Sequence, residues 1–260
     1  MVGQDFITEL AAGGRYTFST QDLVDRHGGS VVAARAVLRR LRAKGAIASP
    51  MRGFQVIVPP EYRVLGCLPA EQFVPQLMEH LALPYYIGLL SAARYHGAAH
   101  QQPQVFQVLV ACNRPSIRCG KVAVDFVARG NLVQVPTVRF ETPRGPLLVS
   151  SPEATAFDLV GYMEHAGGVD NVATLLRELA DVLEPAKLAG VAALSPVAWA
   201  QRLGFLLEQV GAGHLVGPLA SLVRAQAREY RPLVPGTTPR VAERSAPWRL
   251  ILNTEVEADQ

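Results

Sequence analysis

The hydrophobic period of this chain changes at Gly45, and that change limits what the first sixty residues can fold into. In residues 5–12 the apolar side chains recur three or four positions apart, as one face of a helix requires. After Gly45 they alternate in residues 46–49 and 54–58, which is the period of β-strands. Residues 50–53, PMRG, suit a turn whose last residue is left-handed. We therefore expect helices followed by a β-hairpin.

Capping and turn signals divide the helical part into three pieces. The glycine pairs at 13–14 and 28–29 are turns between helices. Ser19, followed three residues later by Asp22, resembles a capping box for a short second helix, and Ser30 is a good N-cap for the third. Helix, short helix, turn, helix and hairpin is the order of a winged helix-turn-helix. The same order also fits small three-helix units that dock other proteins.

The third helix lies in residues 30–47, SVVAARAVLRRLRAKGAI, which contain five basic residues and no acidic one. An ordinary solvated face would mix Glu with Lys for local support. At about 100° per residue the positions separate into four groups. These are a core stripe of Ala34, Leu38, Leu41 and Gly45, one flank of Arg35, Arg39 and Arg42, a second flank of Arg40 and Lys44, and a crest of Val32, Ala36 and Ala43.

A smooth crest between cationic flanks is what a helix needs to lie in the major groove of DNA. The N-terminal part of a recognition helix usually meets base edges, so we predict that Arg35 and Arg39 read bases. The predicted phosphate contacts are Ser30, Arg40, Arg42, Lys44 and the wing-tip residue Arg52. A protein-docking surface is the alternative interpretation.

The excess positive charge of the chain also lies in its first sixty residues. The 260 residues carry a formal net charge of +3, but residues 1–60 alone hold eight basic and four acidic residues. The remaining residues hold 17 basic and 18 acidic ones. Such asymmetry points toward nucleic acid or an acidic partner.

The rest of the chain predicts a larger α+β domain, a small sheet plus a helical bundle, over residues 71–260 after a linker at 61–70 that follows Pro59 and Pro60. The overall fold class is therefore α+β. Predicted helices cover residues 70–82 and 84–100 and dominate from Pro152 to about residue 227. Predicted strands cover residues 104–112, 121–128, 135–142, 146–151 and 248–253.

Motifs for catalysis or cofactor binding are missing from the sequence. His96 and His100 have i,i+4 spacing but lack the Glu of a metallohydrolase, and no phosphate loop or nucleophile elbow occurs. Cys112 and Cys119 are predicted to be buried thiols, and Asp158 to cap or orient a neighbour. We predict no catalytic residue, no metal ligand and no cofactor.

A second set of basic residues could contact a phosphate or a partner, with an ordinary solvated hairpin as the alternative. It comprises Arg114, Arg118, Lys121 and Arg202. No apolar run reaches the roughly 20 residues that a bilayer requires, so no membrane association is expected. An odd count of three cysteines without a CxxC pair fits a reducing cytoplasm.

Five segments together resemble the AbiEi family of bacterial antitoxins. They are KGAIASPMRGFQVI, YYIGLLSAARYHGAA, SPEATAFDLV, QRLGFLLE and WRLILN. The resemblance implies an N-terminal winged helix-turn-helix that binds inverted repeats in its own promoter and represses its operon. It also implies a C-terminal domain that counteracts an AbiEii-like nucleotidyltransferase toxin in the type IV manner, without a stable complex, in bacterial phage defence.

Three functions remain open at this point. The first is a DNA-binding autorepressor and antitoxin, a monomer in solution or a dimer on double-stranded DNA. The second is a ligand-responsive winged-helix transcription factor whose C-terminal domain holds a small molecule. The third is an enzyme with an attached DNA-binding domain, against which the lack of a catalytic constellation argues.

Overall fold

The computed structural model describes residues 2–28, 30–98, 104–236 and 243–257. Helices and mixed sheets confirm the α+β class. No helix within these residues is both long and apolar enough to span a bilayer. The chain divides into two compact units. The first comprises Met1–Tyr85, Gln104–Gly130 and Arg139–Leu148, and the second comprises Tyr86–Pro103, Asn131–Val138 and Val149–Gln260.

The first unit opens with three helices and a three-stranded antiparallel sheet, in the order predicted for a winged helix-turn-helix. The elements are α1 (Val2–Ala12), β1 (Thr17–Ser19), α2 (Thr20–His27), α3 (Val31–Ala43), β2 (Ile47–Met51) and β3 (Phe54–Ile57). Strand β3 is central, and β1 and β2 pair with it on either side. The β2–β3 hairpin is the predicted wing.

Local signals fix the ends of these helices as the sequence predicted. The backbone N–H of Ser19 donates to the Asp22 carboxylate at 2.6 Å, and the backbone N–H of Asp22 donates to Ser19 Oγ at 3.1 Å. This is a complete capping box. Ser30 Oγ accepts from the Ala33 backbone N–H at 3.2 Å and caps α3. Gly53 takes a φ of 88° in the turn between β2 and β3, which glycine adopts without strain.

The predicted core stripe of α3 is confirmed in its helical part. Ala34, Leu38 and Leu41 are buried against α1, β1 and β2. Gly45 lies just past the end of the helix with a φ of 64°, so it ends α3 rather than packing in its stripe. The apolar side therefore holds α3 against the rest of the unit and leaves its basic flanks outward.

The segment at residues 61–70, which was predicted as a linker, packs into the first compact unit. A one-turn helix over Pro60–Tyr62 precedes Cys67 and Leu68, both of which are fully buried. Because these side chains pack inside the first compact unit, that unit continues to Tyr85 and is not divided at the predicted linker. The boundary between a DNA-binding and an antitoxin function stays a prediction.

Two predicted helices are shorter than expected. Residues 70–82 form only α4 (Val74–His80) after a single turn, because Pro75 lacks the N–H of an interior helical residue and is tolerated only in the first turn. Residues 84–100 form strand β4 (Tyr85–Ile87) and helix α5 (Leu89–Tyr95). The prediction of one continuous helix there was wrong, since Ile87 pairs in parallel with Val149. The predicted end of this helix, residues 99–100, lies outside the described residues.

The predicted strands of residues 104–151 are confirmed with shifted ends, and a further strand lies among them. They are β5 (Phe106–Val110), β6 (Ile117–Cys119), β7 (Val122–Ala128), β8 (Thr137–Thr142) and β9 (Gly145–Ser150). Strand β6 was not predicted, and it pairs antiparallel with β7. Strand β5 pairs in parallel with β7 along its whole length.

The second unit is mainly helical. Its helices after β9 are α6 (Pro152–Gly161), α7 (Val169–Leu179), α8 (Pro185–Ala193), α9 (Val197–Gln209) and α10 (Gly217–Gln226). Strands β10 (Arg231–Pro232), β11 (Glu243–Ser245) and β12 (Leu250–Leu252) follow, so the predicted strand at 248–253 is confirmed over its centre. Helix α6 is buried from Glu153 to Val160, which makes it central to this unit.

Candidate nucleic-acid interface

The solvent-facing side of α3 and the wing enclose an open groove of about 740 Å³. Arg35, Arg39 and Arg42 line it from the helix, and Arg52 lines it from the wing turn. The groove lies wholly within the first unit. Four of the predicted DNA-contacting side chains thus share one concave surface, which we call the α3–wing groove.

The basic residues of the first sixty sort into two groups by their partners. Arg15 Nη2 lies 3.1 Å from Asp22 Oδ2, and Arg26 Nη2 lies 2.7 Å from Glu9 Oε1. The other six have no ion pair with any described residue. These six are Arg35, Arg39, Arg40, Arg42, Lys44 and Arg52. The paired cations lie outside the lining of the groove, and the six without acidic partners are the predicted DNA-contacting cations.

Asp22 is the acidic residue at the start of α2, and its charge is held locally. Burial alone would raise its pKa. The backbone N–H and hydroxyl of Ser19 and the guanidinium of Arg15 outweigh that effect and lower the pKa below its ordinary value. This carboxylate is therefore committed to the capping box and to Arg15 rather than to the arginines of α3.

Two of the unpaired cations lie on the far flank of α3. Arg40 and Lys44 are exposed but do not line the groove, as the helical wheel predicted. Arg42 Nε donates weakly, at 3.4 Å, to the Leu38 carbonyl and is held close to the helix. The exposed side of α3 therefore carries two rows of positive charge, one that lines the groove and one on the far flank.

The crest between these rows is small and apolar. Val32 is 75% exposed, although a valine of a folded protein is more often buried, and it lines the groove together with Ala36. A surface of this shape permits close approach to the floor of a DNA groove, and an apolar side chain can contact a thymine methyl group.

Three polar residues also line the groove and were not predicted from the sequence, namely Thr20, Ser49 and Gln55. Ser49 Oγ donates a hydrogen bond to Gln55 Oε1 across the wing. The register of β2 and β3 shifts between Ala48 and Met51, so simple alternation does not predict which side chains face the groove. The presence of Ser49 and Gln55, two polar residues in a mostly apolar hairpin, was the sequence feature that could have indicated their place in the groove.

The second predicted basic set is dispersed. Arg118 and Lys121 are exposed on β6 and in the turn that follows it, and Arg114 is half-buried. Arg202 was wrongly predicted as a surface contact, since it is 7% exposed and its Nε donates to the Pro232 carbonyl at 3.3 Å. Burial, and then the charge of Arg231, lower the pKa of Arg202. It belongs to the packing of the second unit.

Residues considered for metal binding or catalysis are engaged elsewhere. His96 Nε2 donates to the Ser150 carbonyl at 2.7 Å, while His100 lies outside the described residues. Asp158 is buried and accepts from the Tyr86 hydroxyl at 2.9 Å, which is an orienting role. Within the described ranges no group of three His, Cys, Asp or Glu side chains could hold a metal ion.

Cys112 is exposed and Cys119 half-buried, so the prediction of buried thiols was wrong.

One solved structure shares the fold of this chain. The crystal structure of the Rv2827c protein from Mycobacterium tuberculosis matches 96% of this chain and 90% of that chain, with a TM-score of 0.67 and 15% sequence identity. The solution structure of the antibiotic-resistance factor ANT(2'')-Ia matches 46% of this chain and 86% of that chain, with a TM-score of 0.32 and 14% identity.

The family comparison concerns the part of the chain that follows the predicted winged unit. No curated protein matches the chain. Residues 86–209 match the family described as the AbiEi antitoxin C-terminal domain. This match confirms the resemblance seen in the sequence segments YYIGLLSAARYHGAA, SPEATAFDLV and QRLGFLLE, which fall within it or at its start. The chain therefore carries, at residues 86–209, a domain of the AbiEi antitoxin family.

Proposed function

We propose that this protein is a sequence-specific DNA-binding autorepressor and antitoxin that counteracts an AbiEii-like nucleotidyltransferase toxin. The DNA-binding part of this proposal is supported by the division of the first sixty residues' basic side chains into paired and unpaired ones. Six basic side chains that have no acidic partner among the described residues lie along α3 and its wing, while the paired ones lie elsewhere. Unneutralised cations on one surface are the electrostatic footprint of a nucleic-acid site.

In this proposal α3 enters the major groove, which is about 12 Å wide and admits one helix. The crest residues Val32 and Ala36 allow the close approach. Arg35 and Arg39, which line the α3–wing groove, reach base edges, where a bidentate arginine–guanine contact is the commonest specific pairing. Val32 is placed to meet a thymine methyl group.

The remaining cations would hold the two DNA strands. Arg42 and Arg52 would contact the phosphates on the groove side, and Arg40 and Lys44 those on the far flank. Ser30 Oγ already accepts from the Ala33 N–H, so it would contact phosphate by donating its own proton. These contacts position the protein and carry no sequence information of their own.

Inverted repeats would require two copies of the chain on one operator. Half-sites of such operators lie one helical turn apart, about 34 Å, or a multiple of it. The protein would be a monomer in solution or a dimer assembled on the DNA. Its operator would be its own promoter.

The antitoxin part of the proposal is supported by the AbiEi domain at residues 86–209. The functional partner would be an AbiEii-like toxin, opposed without a stable complex. We propose a cytoplasmic, non-enzymatic protein that needs no cofactor. Co-expression of the toxin with the full chain, and with α3 variants that no longer bind DNA, would separate toxin relief from repression.

The decisive experiment is fluorescence anisotropy with the protein's own upstream DNA and a scrambled duplex of equal length. Wild type should prefer its own sequence, and Arg39→Ala should reduce that preference by about 1–3 kcal/mol. Arg26→Ala is the matched control, because this arginine is paired with Glu9 and does not line the groove. Equal binding of both duplexes by the wild type would contradict sequence-specific repression.

A further inference from the structure

Two chain segments of the first unit run antiparallel beside each other, next to the wing. The Lys121 backbone N–H donates to the Leu65 carbonyl at 2.7 Å. Gly66 and Gly120 meet backbone to backbone, since a Cβ added to Gly120 would lie 2.9 Å from the Gly66 Cα, and one added to Gly66 would lie 3.2 Å from the Gly120 Cα. Residue 65 is thus opposite 121 and residue 66 opposite 120. The same register places Cys67 opposite Cys119.

This register brings the two cysteines close enough for a disulfide. Both cysteines are free, and the Cys67 thiol hydrogen-bonds to the Cys119 sulfur. Opposed residues of antiparallel segments have Cα atoms about 4.5–5.5 Å apart. Disulfides span Cα separations of about 4.4–6.8 Å, so a bond between these cysteines needs little backbone movement.

The two thiols differ in the way that a sensor pair requires. The hydrogen bond from Cys67, aided by the Ser49 backbone N–H, lowers the pKa of the half-buried Cys119, although burial alone would raise it. The hydrogen bond to Cys119, burial and the charge of Cys119 all raise the pKa of Cys67, which is fully buried. Cys119 is therefore the more accessible and more easily deprotonated thiol, which would react first, and Cys67 is the buried thiol that would then close the bond.

We propose that Cys67 and Cys119 form a reversible disulfide on exposure to a peroxide, and that this bond weakens DNA binding. In the first step the Cys119 thiolate attacks a peroxide oxygen, the O–O bond breaks and hydroxide leaves. Cys67 then gives up its proton and attacks the Cys119 sulfur, which releases a second hydroxide. Two thiols and one hydrogen peroxide give one disulfide and two waters.

The coupling to DNA rests on the proposed function and passes through β2, which contacts β6. The Ser49 backbone N–H donates to the Cys119 sulfur, and Ser49 also lines the α3–wing groove. Its hydroxyl holds Gln55, three residues past Arg52. In the disulfide the Cys119 sulfur moves to about 2.05 Å from the Cys67 sulfur. This movement draws the sulfur away from the Ser49 N–H and weakens one contact that positions the groove side of β2.

The test uses the full-length chain treated with hydrogen peroxide. Wild type and Cys112→Ser should yield a linked Cys67–Cys119 peptide by mass spectrometry, while Cys67→Ser and Cys119→Ser should not. The affinity of the oxidised wild type for its upstream DNA should fall about fivefold, the equivalent of one lost hydrogen bond. Dithiothreitol should restore that affinity.

Each negative result contradicts a different part of the proposal. Absence of the linked peptide overturns the disulfide, whatever the DNA result. A linked peptide with unchanged affinity, in protein that binds its DNA when reduced, overturns the coupling alone. Reduced protein that ignores its upstream DNA overturns the proposed function and the coupling with it, while the peptide still decides the disulfide.

Discussion

The salt dependence of DNA binding is the most direct test of whether the unpaired basic residues of α3 and the wing contact phosphates. Of the six unpaired basic residues, Arg35 and Arg39 are proposed to read bases. Four remain for phosphates, namely Arg40, Arg42, Lys44 and Arg52. Each neutralised phosphate changes the slope of log K against log salt by about −0.9, so one protomer should give a slope of about −3.6. Two protomers on an inverted repeat should give about twice that value.

Single substitutions then show which residues contribute. Anisotropy titrations from about 50 to 200 mM salt span the range in which this term dominates. Arg52→Gln should make the slope shallower by about 0.9 per protomer and weaken specific and scrambled duplexes alike. Arg26→Gln should leave the slope unchanged, since its guanidinium is held by Glu9 and lies outside the groove.

Two outcomes would refute this reasoning. A wild-type slope near zero would mean that the unpaired cations do not meet phosphates, and α3 would then be a protein-docking face. Equal changes for Arg52→Gln and Arg26→Gln would mean that only net charge matters, not the groove.

Three further predictions concern the folded state. Ser30→Ala removes the N-cap of α3 and should lower the free energy of unfolding by about 1 kcal/mol in urea titrations, whereas Ser30→Asp should retain it. Gly204→Ala places a Cβ 2.0 Å from the Trp248 ring and should cost about 1–3 kcal/mol, while Gly190→Ala, with open space around it, should be neutral or stabilising. Burial lowers the pKa of His96 below 6.5 against the opposing effects of the Ser150 carbonyl and Glu153, so the neutral form favours folding. Stability should be full above that value and fall as the pH drops below it, and His96→Gln should flatten this part of a Tm-against-pH curve.

Local chemistry explains why the first sixty residues could be predicted well. Ser19 with Asp22 and Ser30 with Ala33 act within three residues of one another, so the caps are visible in the sequence itself. The core stripe of α3 follows from helical period alone. The same reasoning located the arginines of the groove, because two flanks of one helix are fixed by residue spacing.

Predictions failed where distant parts of the chain decide the structure. Residues 85–87 form a strand because Ile87 pairs with Val149, more than sixty positions away, and no local signal records that partner. Arg202 is buried because most sides of α9 are covered, which its helical pattern alone does not reveal. The groove positions of Ser49 and Gln55 depend on a register shift in the wing.

The ion pairs illustrate the same limit and bear on what the groove binds. Arg26 and Arg39 are the same residue type and cannot be distinguished in the sequence. Only the fold brings Glu9, 17 positions away, into contact with Arg26. The six cations left without acidic partners repel one another in the free protein, along one helix and its wing. A small anion could relieve that repulsion at one or two of them, whereas a polyanion relieves it at all six and releases its own counterions. A steep salt slope in the binding of DNA is therefore the expected signature of a nucleic acid in this groove.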